Sequence, residues 1–164
     1  MKVIYPDNET NTIETMTKKS KSISIFLAGT IDNGNSEDWQ QKVIDKLKEY
    51  DNEHSEYFIT IFNPRCKKWN KNAGKEELEY QIKWEQEHLD KANLIIMVLS
   101  DSSKSPISLL EFGLYAQTGK LIVFCTDKFY RFDNIRLTCE KYFIPLVQST
   151  NVDDIISNIQ DVFK

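Results

Sequence analysis

The stretch Leu94-Ile95-Ile96-Met97-Val98-Leu99 constrains the fold more than any other part of this chain. It has no polar side, so a strand built from it must be covered on both faces, as in the interior of a parallel sheet. A polar turn follows from Ser100 to Ser105. Pro106 then suits the first position of a helix, with Ser105 as its cap. Ile107, Leu110, Leu114 and Tyr115 recur at helical spacing, which predicts that this side of the helix faces the core. Glu111 stands four residues after Ile107 and leans toward the same side, where an unpaired charge is costly. Ligands of open α/β sheets bind beyond the carboxyl ends of the strands, and this helix start lies there. Two readings of Glu111 stand at this point. It is either a catalytic acid or a flanking carboxylate that reaches solvent or pairs with a lysine.

The rest of the chain repeats the strand-then-helix pattern. Val3-Ile4-Tyr5 opens residues 1–21, a polar segment read as an arm or a small edge strand, and residues 22–164 read as one domain. Strands are predicted at Ile23–Ala28, Tyr57–Phe62, Leu94–Leu99, Lys120–Cys125 and Phe143–Val147. Ser36 reads as the cap of a helix carrying Trp39, Val43, Ile44 and Leu47 on its apolar stripe. Further helices are predicted over Glu76–Lys91, after the aromatic turn around Phe129, Tyr130 and Phe132, and over Val152–Phe163. In the first of these, Leu78, Ile82 and Leu89 share a stripe with Glu85, a second acid on an apolar face. The fold class that results is α/β. It is a single domain with a mostly parallel five-stranded sheet and helices on both faces, a three-layer flavodoxin-like or Rossmann-like sandwich with right-handed crossovers. Gly29, in the loop that leaves the first of these strands, allows backbone to approach a ligand closely. The lysine- and asparagine-rich loop holding Trp69 is read as a lid or as a solvated connection in which Lys67, Lys68 and Lys71 keep the surface wet.

Composition narrows the function. With 164 residues, 40% of them hydrophobic, the chain makes one domain with a real core. A net charge of -4 lacks the basic footprint that holds nucleic acid polymers, so a small ligand is the expected partner. Cys66, Cys125 and Cys139 form no CxxC pair, and His54 and His88 fall at no ligand spacing with them, so no metal site is expected. With no leader and no long apolar span, this cysteine usage points to a reduced, cytoplasmic protein off the membrane.

With these residues in view, the chain resembles the nucleoside 2-deoxyribosyltransferase family and its relatives, the 2'-deoxynucleoside 5'-monophosphate N-glycosidases. The resemblance runs from about Ile23 to Pro145. It is carried by IFLAGTID at Ile25–Asp32, NPR at Asn63–Arg65, QIKWEQEHLDKANLI at Gln81–Ile95, SPISLLEFGLYA at Ser105–Ala116, and Asn134. It implies that Glu111 is the nucleophile and that Glu85 aids departure of the base, at a position where family members usually carry aspartate. It implies that Gly29, Thr30 and Ile31 border the nucleoside, with Asp32 or Asn33 touching the base. Asn134 looks like the asparagine that approaches the sugar 5' end from a neighbouring subunit, which implies a homo-oligomer. Two departures stand out. Phe26 replaces a tyrosine that many members place beside the nucleophile, leaving Tyr80 or Tyr115 as substitutes. Ser105 stands where the transferases tend to have aspartate and the glycosidases serine. Serines at a helix start hold phosphate, so Ser105 and Ser108 admit a nucleotide substrate. Against that, Pro106, Ile107 and Leu109 fill the places of the glycosidases' glycines.

Breaking a nucleoside C1'–N bond means stabilising an oxocarbenium-like sugar and helping a poor leaving group depart. The resemblance implies two carboxyl groups for this work and no cofactor: Glu111 attacks C1', Glu85 assists the base, and a second base or water completes a double displacement. Transfer to another nucleobase is the expected activity. Hydrolysis of the deoxynucleoside or its 5'-monophosphate is the first alternative, and a non-catalytic nucleotide-sensing module on the same fold is the second.

Overall fold

A computed structural model describes residues 1–7, 10–12, 21–31, 36–53, 56–65 and 74–164. Asp32, Asn33, His54, Cys66, Lys67, Lys68, Trp69 and Lys71, all singled out above, lie outside the described residues. The elements in chain order are β1 (Lys2–Ile4), β2 (Thr10–Thr12), β3 (Lys21–Gly29), α1 (Trp39–Glu53), β4 (Tyr57–Phe62), α2 (Lys75–Lys91), β5 (Leu94–Leu99), α3 (Pro106–Tyr115), β6 (Leu121–Cys125), α4 (Phe132–Tyr142), β7 (Leu146–Val147) and α5 (Val152–Val162).

The strands form one 7-stranded sheet in the order β2-β1-β4-β3-β5-β6-β7. All neighbours are parallel except β1 and β2. Two strands are therefore added to the expected five, both from the first twelve residues. β1 pairs in parallel with β4, and Met1, Val3 and Tyr5 enter the main core on alternate positions. The Met1 ammonium is buried against Asp51 of α1 at 2.9 Å, which closes this corner. The last strand shrinks from the expected Phe143–Val147 to two residues, because Phe143 ends α4 in the left-handed conformation and stands exposed.

β5 lies in the middle, and all six of its residues are buried. Strand alternation sends Leu94, Ile96 and Val98 to one face and Ile95, Met97 and Leu99 to the other. The first face is covered by α1 and α5, through Val43, Ile44, Leu47, Ile155 and Ile159. The second is covered by α2, α3 and α4, through Trp84, Leu89, Phe112, Ile135 and Cys139. From β3 the chain steps to β4 on one side, and from β5 to β6 on the other. The strand order therefore reverses between β3 and β5, and a crevice opens there beyond their carboxyl ends.

Gly29 ends β3 at this reversal with φ +129, and a Cβ placed on it would lie 2.0 Å from the Val98 carbonyl oxygen. What comes within that distance is the backbone of β5, so strand packing requires this glycine. Gly29→Ala is expected to lower stability by about 3 kcal/mol, through left-handed strain and a forced separation of β3 from β5. Urea denaturation monitored by circular dichroism checks this, and a loss below about 1 kcal/mol would show that the two strands part easily. Among the described residues no helix is long and apolar enough to cross a membrane.

Candidate active site

Three segments meet at the β3–β5 crevice: the loop leaving β3, the loop leaving β4, and the turn from β5 into α3. A chain of hydroxyl groups joins the first to the third. The Ser100 N–H donates to Thr30 Oγ1 at 3.0 Å, and Thr30 Oγ1 lies 2.7 Å from Ser105 Oγ. Ser105 Oγ in turn donates to Ser103 Oγ at 3.0 Å. A hydroxyl has one proton, so with Ser105 donating to Ser103 the Thr30 hydroxyl must donate to Ser105. Thr30, Ser103 and Ser105 are all buried, and the Thr30 N–H is held by the Val98 carbonyl at 2.9 Å.

Ser105 sits at the N-cap of α3 as expected, with Pro106 after it, yet its side chain does not cap the helix. It adopts φ 42, a left-handed conformation that is unfavourable for a serine and more so before a proline. The neighbouring loops hold it there through the hydroxyl chain. Its hydroxyl braces Thr30 and Ser103, while Ser108, one turn into α3, is buried.

The loop leaving β3 is tied to the one leaving β4. Ser36 is not the cap of α1; its hydroxyl donates to the Ile31 carbonyl at 2.9 Å, and the helix is capped by Asp38, which accepts from the Gln41 N–H. Trp39 is buried and its ring N–H donates to the Thr30 carbonyl, so it is loop packing. Arg65 reaches across from the end of β4 to Ser36 Oγ and the Glu37 carbonyl, both at 3.0 Å, and to Asp38 at 3.3 Å.

The two acids come together over this floor. Glu85 on α2 and Glu111 on α3 are both largely shielded from water, and the charge of Glu85 acts directly on Glu111. Burial first, and Glu85 second, push the Glu111 carboxyl up to about 8. Burial also raises Glu85, partly offset by the amide of Gln81, which donates to Glu85 Oε1 at 2.7 Å. Among the described residues none hydrogen-bonds the Glu111 carboxyl. The Tyr115 hydroxyl donates to Asp90 at 2.6 Å, and Tyr80 is exposed. Phe26 is fully buried and packs 6.2 Å from Trp84, so the expected tyrosine substitutes do not orient Glu111.

The side of α3 that faces the core is not the one its apolar spacing predicts. Ile107, Leu110 and Leu114 are about 60% exposed, whereas Ser108, Phe112 and Ala116 face the core. Leu78 and Ile82 of α2 are likewise exposed, and the covered side is that of Trp84, His88 and Leu89. The carboxyl of Glu111 is screened by burial, and one turn further along α3 Tyr115 reaches Asp90 of α2. Asn134 is exposed in the first turn of α4, and its side chain bonds neither acid. Gln81, Ser103 and Arg65 belong to the site although no role was expected for them. Only the NPR and QIKWEQ segments flagged two of the three.

Among the described residues no group of three or more histidine, cysteine and acidic side chains is placed to hold a metal ion. Cys125 and Cys139 are buried free thiols, pushed by that burial up to about 12 and about 11, and behave as core residues.

Comparison with known proteins adds to this geometry. A conserved protein from Enterococcus faecalis V583 shares the fold with a TM-score of 0.59 at 13% identity, over 86% of this chain and 99% of the other. A 2-deoxyribosyltransferase from the psychrotolerant Bacillus psychrosaccharolyticus aligns with a TM-score of 0.45 at 20% identity, over 62% and 71% of the two chains. No curated protein sequence matches. The conserved sequence pattern of the nucleoside 2-deoxyribosyltransferase-like proteins matches residues 22–129, from β3 to the turn before α4, and the chain belongs to that family.

Proposed function

We propose that the protein is a nucleoside 2-deoxyribosyltransferase, with Glu111 as nucleophile and Glu85 as the acid and base. The observation that carries this reading is the pairing of two shielded carboxyl groups, coupled by charge, at the strand-order reversal of a family member. Two shielded acids whose charges repel do not both ionise easily, so the pair favours a singly protonated form. One proton is what the reaction needs. A Glu111 oxygen attacks C1' as the C1'–N bond breaks, and the bonding pair leaves with the base, whose nitrogen takes the proton from Glu85. In the second half Glu85 removes a proton from the incoming base, whose nitrogen attacks C1' and releases Glu111. Without a ligand, burial and the charge of Glu85 favour a proton on Glu111. Cationic character growing at the sugar favours the Glu111 carboxylate and moves the proton toward Glu85 and the base.

Thr30 and the bracing serines position the loops around the sugar, and the Ser105 hydroxyl, engaged with Thr30 and Ser103, supports a nucleoside over a 5'-monophosphate. The exposed row Ile107, Leu110 and Leu114 on α3 supports a homo-oligomer, in which an Asn134 from another copy reaches the site. Incubation with a deoxynucleoside, with and without a second free base, tests the activity. A new nucleoside is the expected product. Free deoxyribose alone would assign the protein as a hydrolase, and binding without turnover would assign it as a sensor.

A further inference from the structure

Among the described residues, one polar side chain hydrogen-bonds either acid: Gln81, one helical turn before Glu85. Its Nε2 lies 2.7 Å from Glu85 Oε1 and 3.0 Å from the Pro64 carbonyl oxygen. A peptide carbonyl only accepts, so the atom facing it must be the amide nitrogen, and exchanging the amide's oxygen and nitrogen is ruled out. Both N–H bonds are then spent, one on each partner. Glu85 Oε1 is therefore always an acceptor, and a proton on Glu85 belongs on Oε2.

We propose that Gln81 is a positioning residue that holds Glu85 with Oε2 as its one proton-carrying oxygen and ties that orientation to the loop after β4. The assignment of the base as proton acceptor rests on the deoxyribosyl-transfer reading. The Oε2 proton passes to the base nitrogen as the C1'–N bond breaks, and Glu85 becomes a carboxylate whose Oε1 is already held by an amide N–H. The same bond makes Glu85 a stronger acid than burial alone would leave it.

The loop connection runs further. Pro64 is buried between Asn63, whose side chain accepts from the Arg65 N–H at 3.0 Å, and Arg65, which grips Ser36 and Glu37. Gln81 thereby links Glu85 to the loops that leave β3 and β4. Glu111 of α3 is the titratable group that faces Glu85 across the site. The other charged or titratable groups nearby are already engaged: Arg65 with Asp38, His88 with the Trp84 carbonyl, and Tyr115 with Asp90.

Gln81→Met keeps the length and bulk of the side chain and removes both donors. Carboxyl 13C spectra of glutamate-labelled protein, with the Glu85 signal assigned from Glu85→Gln, should show the Glu85 midpoint rising by about half to one pH unit. In turnover, kcat should fall about tenfold with KM little changed, and the limb of the pH profile set by Glu85 should move with the midpoint. An unmoved Glu85 midpoint in the folded variant overturns the proposal, as does a loss of kcat with an unshifted profile. Gln81→Ala, read by the same titration, serves if the methionine variant does not fold. The titration needs no turnover. A moved midpoint in a protein that neither transfers nor hydrolyses would keep the positioning role and remove the deoxyribosyl reading.

Discussion

Glu111→Gln should abolish deoxyribosyl transfer and at the same time make the protein more stable at alkaline pH. On the proposed mechanism the substitution removes the nucleophile and with it the covalent path, and a loss of at least about 10³-fold in kcat is expected with nucleoside binding retained. The stability gain follows from the cost of ionising a shielded carboxyl next to Glu85. Below about pH 4.5 the folded and unfolded chains both hold the Glu111 proton, and glutamate and glutamine are equivalent. As pH rises toward 8, the unfolded chain releases the proton while the folded protein, whose Glu111 is pushed up to about 8, retains it. Stability supplied by the protonated form is progressively lost over that window. Above it the folded protein carries the full penalty, which glutamine avoids. A gain of roughly 2 kcal/mol at pH 9 is expected, less than the full shift implies because the carboxyl keeps some contact with water. Denaturant titrations of both proteins at pH 4 and pH 9 measure it. Equal stability at both pH values would mean that Glu111 is solvated and the coupling to Glu85 weak, and unchanged turnover would remove Glu111 from its role.

The parts of this molecule that were legible in the sequence are those where one signal has one structural meaning. The apolar run of β5 could only be a strand covered twice, and it is the middle of the sheet. Periodicity was less informative. It showed that α2 and α3 have apolar sides, but not which side the sheet would take. In α3 the sheet took Phe112 and Ala116, while the larger row of Ile107, Leu110 and Leu114 stayed outside. Such a row marks a surface awaiting a partner as readily as one facing a core, and single-chain spacing cannot separate the two. β1 carried a usable signal, since Met1, Val3 and Tyr5 alternate with Lys2 and Ile4, but three residues are too short to outweigh the polar segment behind them.

Glu85, Glu111, Thr30 and Ser105 stood out in the sequence, but their wiring did not, and no role was legible for Ser103, Arg65 or Gln81. The meeting of Glu85 and Glu111 depends on α2 and α3 covering the same face of the sheet, which no local pattern encodes. Gly29 was legible as a position needing glycine, though for a different reason, since the atom it admits is the Val98 carbonyl oxygen. Ser105 read as a helix cap became a strained brace, because a hydroxyl 75 residues away in the chain, on Thr30, competes for it. Gln81 was marked only by the QIKWEQ segment, with no role attached. An amide on a charged helix becomes significant only once the Pro64 carbonyl and the Glu85 carboxyl are known to flank it.

On the proposed mechanism Glu85→Gln separates the shared proton from the nucleophile, and its pH dependence is the more discriminating measurement. In the native protein kcat/KM should be bell-shaped, because the reactive form of the pair holds one proton. Taking up a second proton removes the nucleophile and sets the acid limb, above the ordinary glutamate value because burial raises Glu85. Losing the last proton removes the acid and sets the alkaline limb near pH 8. In Glu85→Gln the like charge beside Glu111 is gone, so the Glu111 carboxyl ionises below 8, held up by burial alone. The alkaline limb should vanish, leaving a single acid limb, and kcat should drop about 10²- to 10⁴-fold for bases that need protonation to depart. A deoxyriboside whose leaving group departs as a stable anion should lose far less, since the missing acid contributes little to its transition state. Equal losses for both substrate types, or a profile that keeps its alkaline limb, would show that the proton reaches the base from a group other than Glu85.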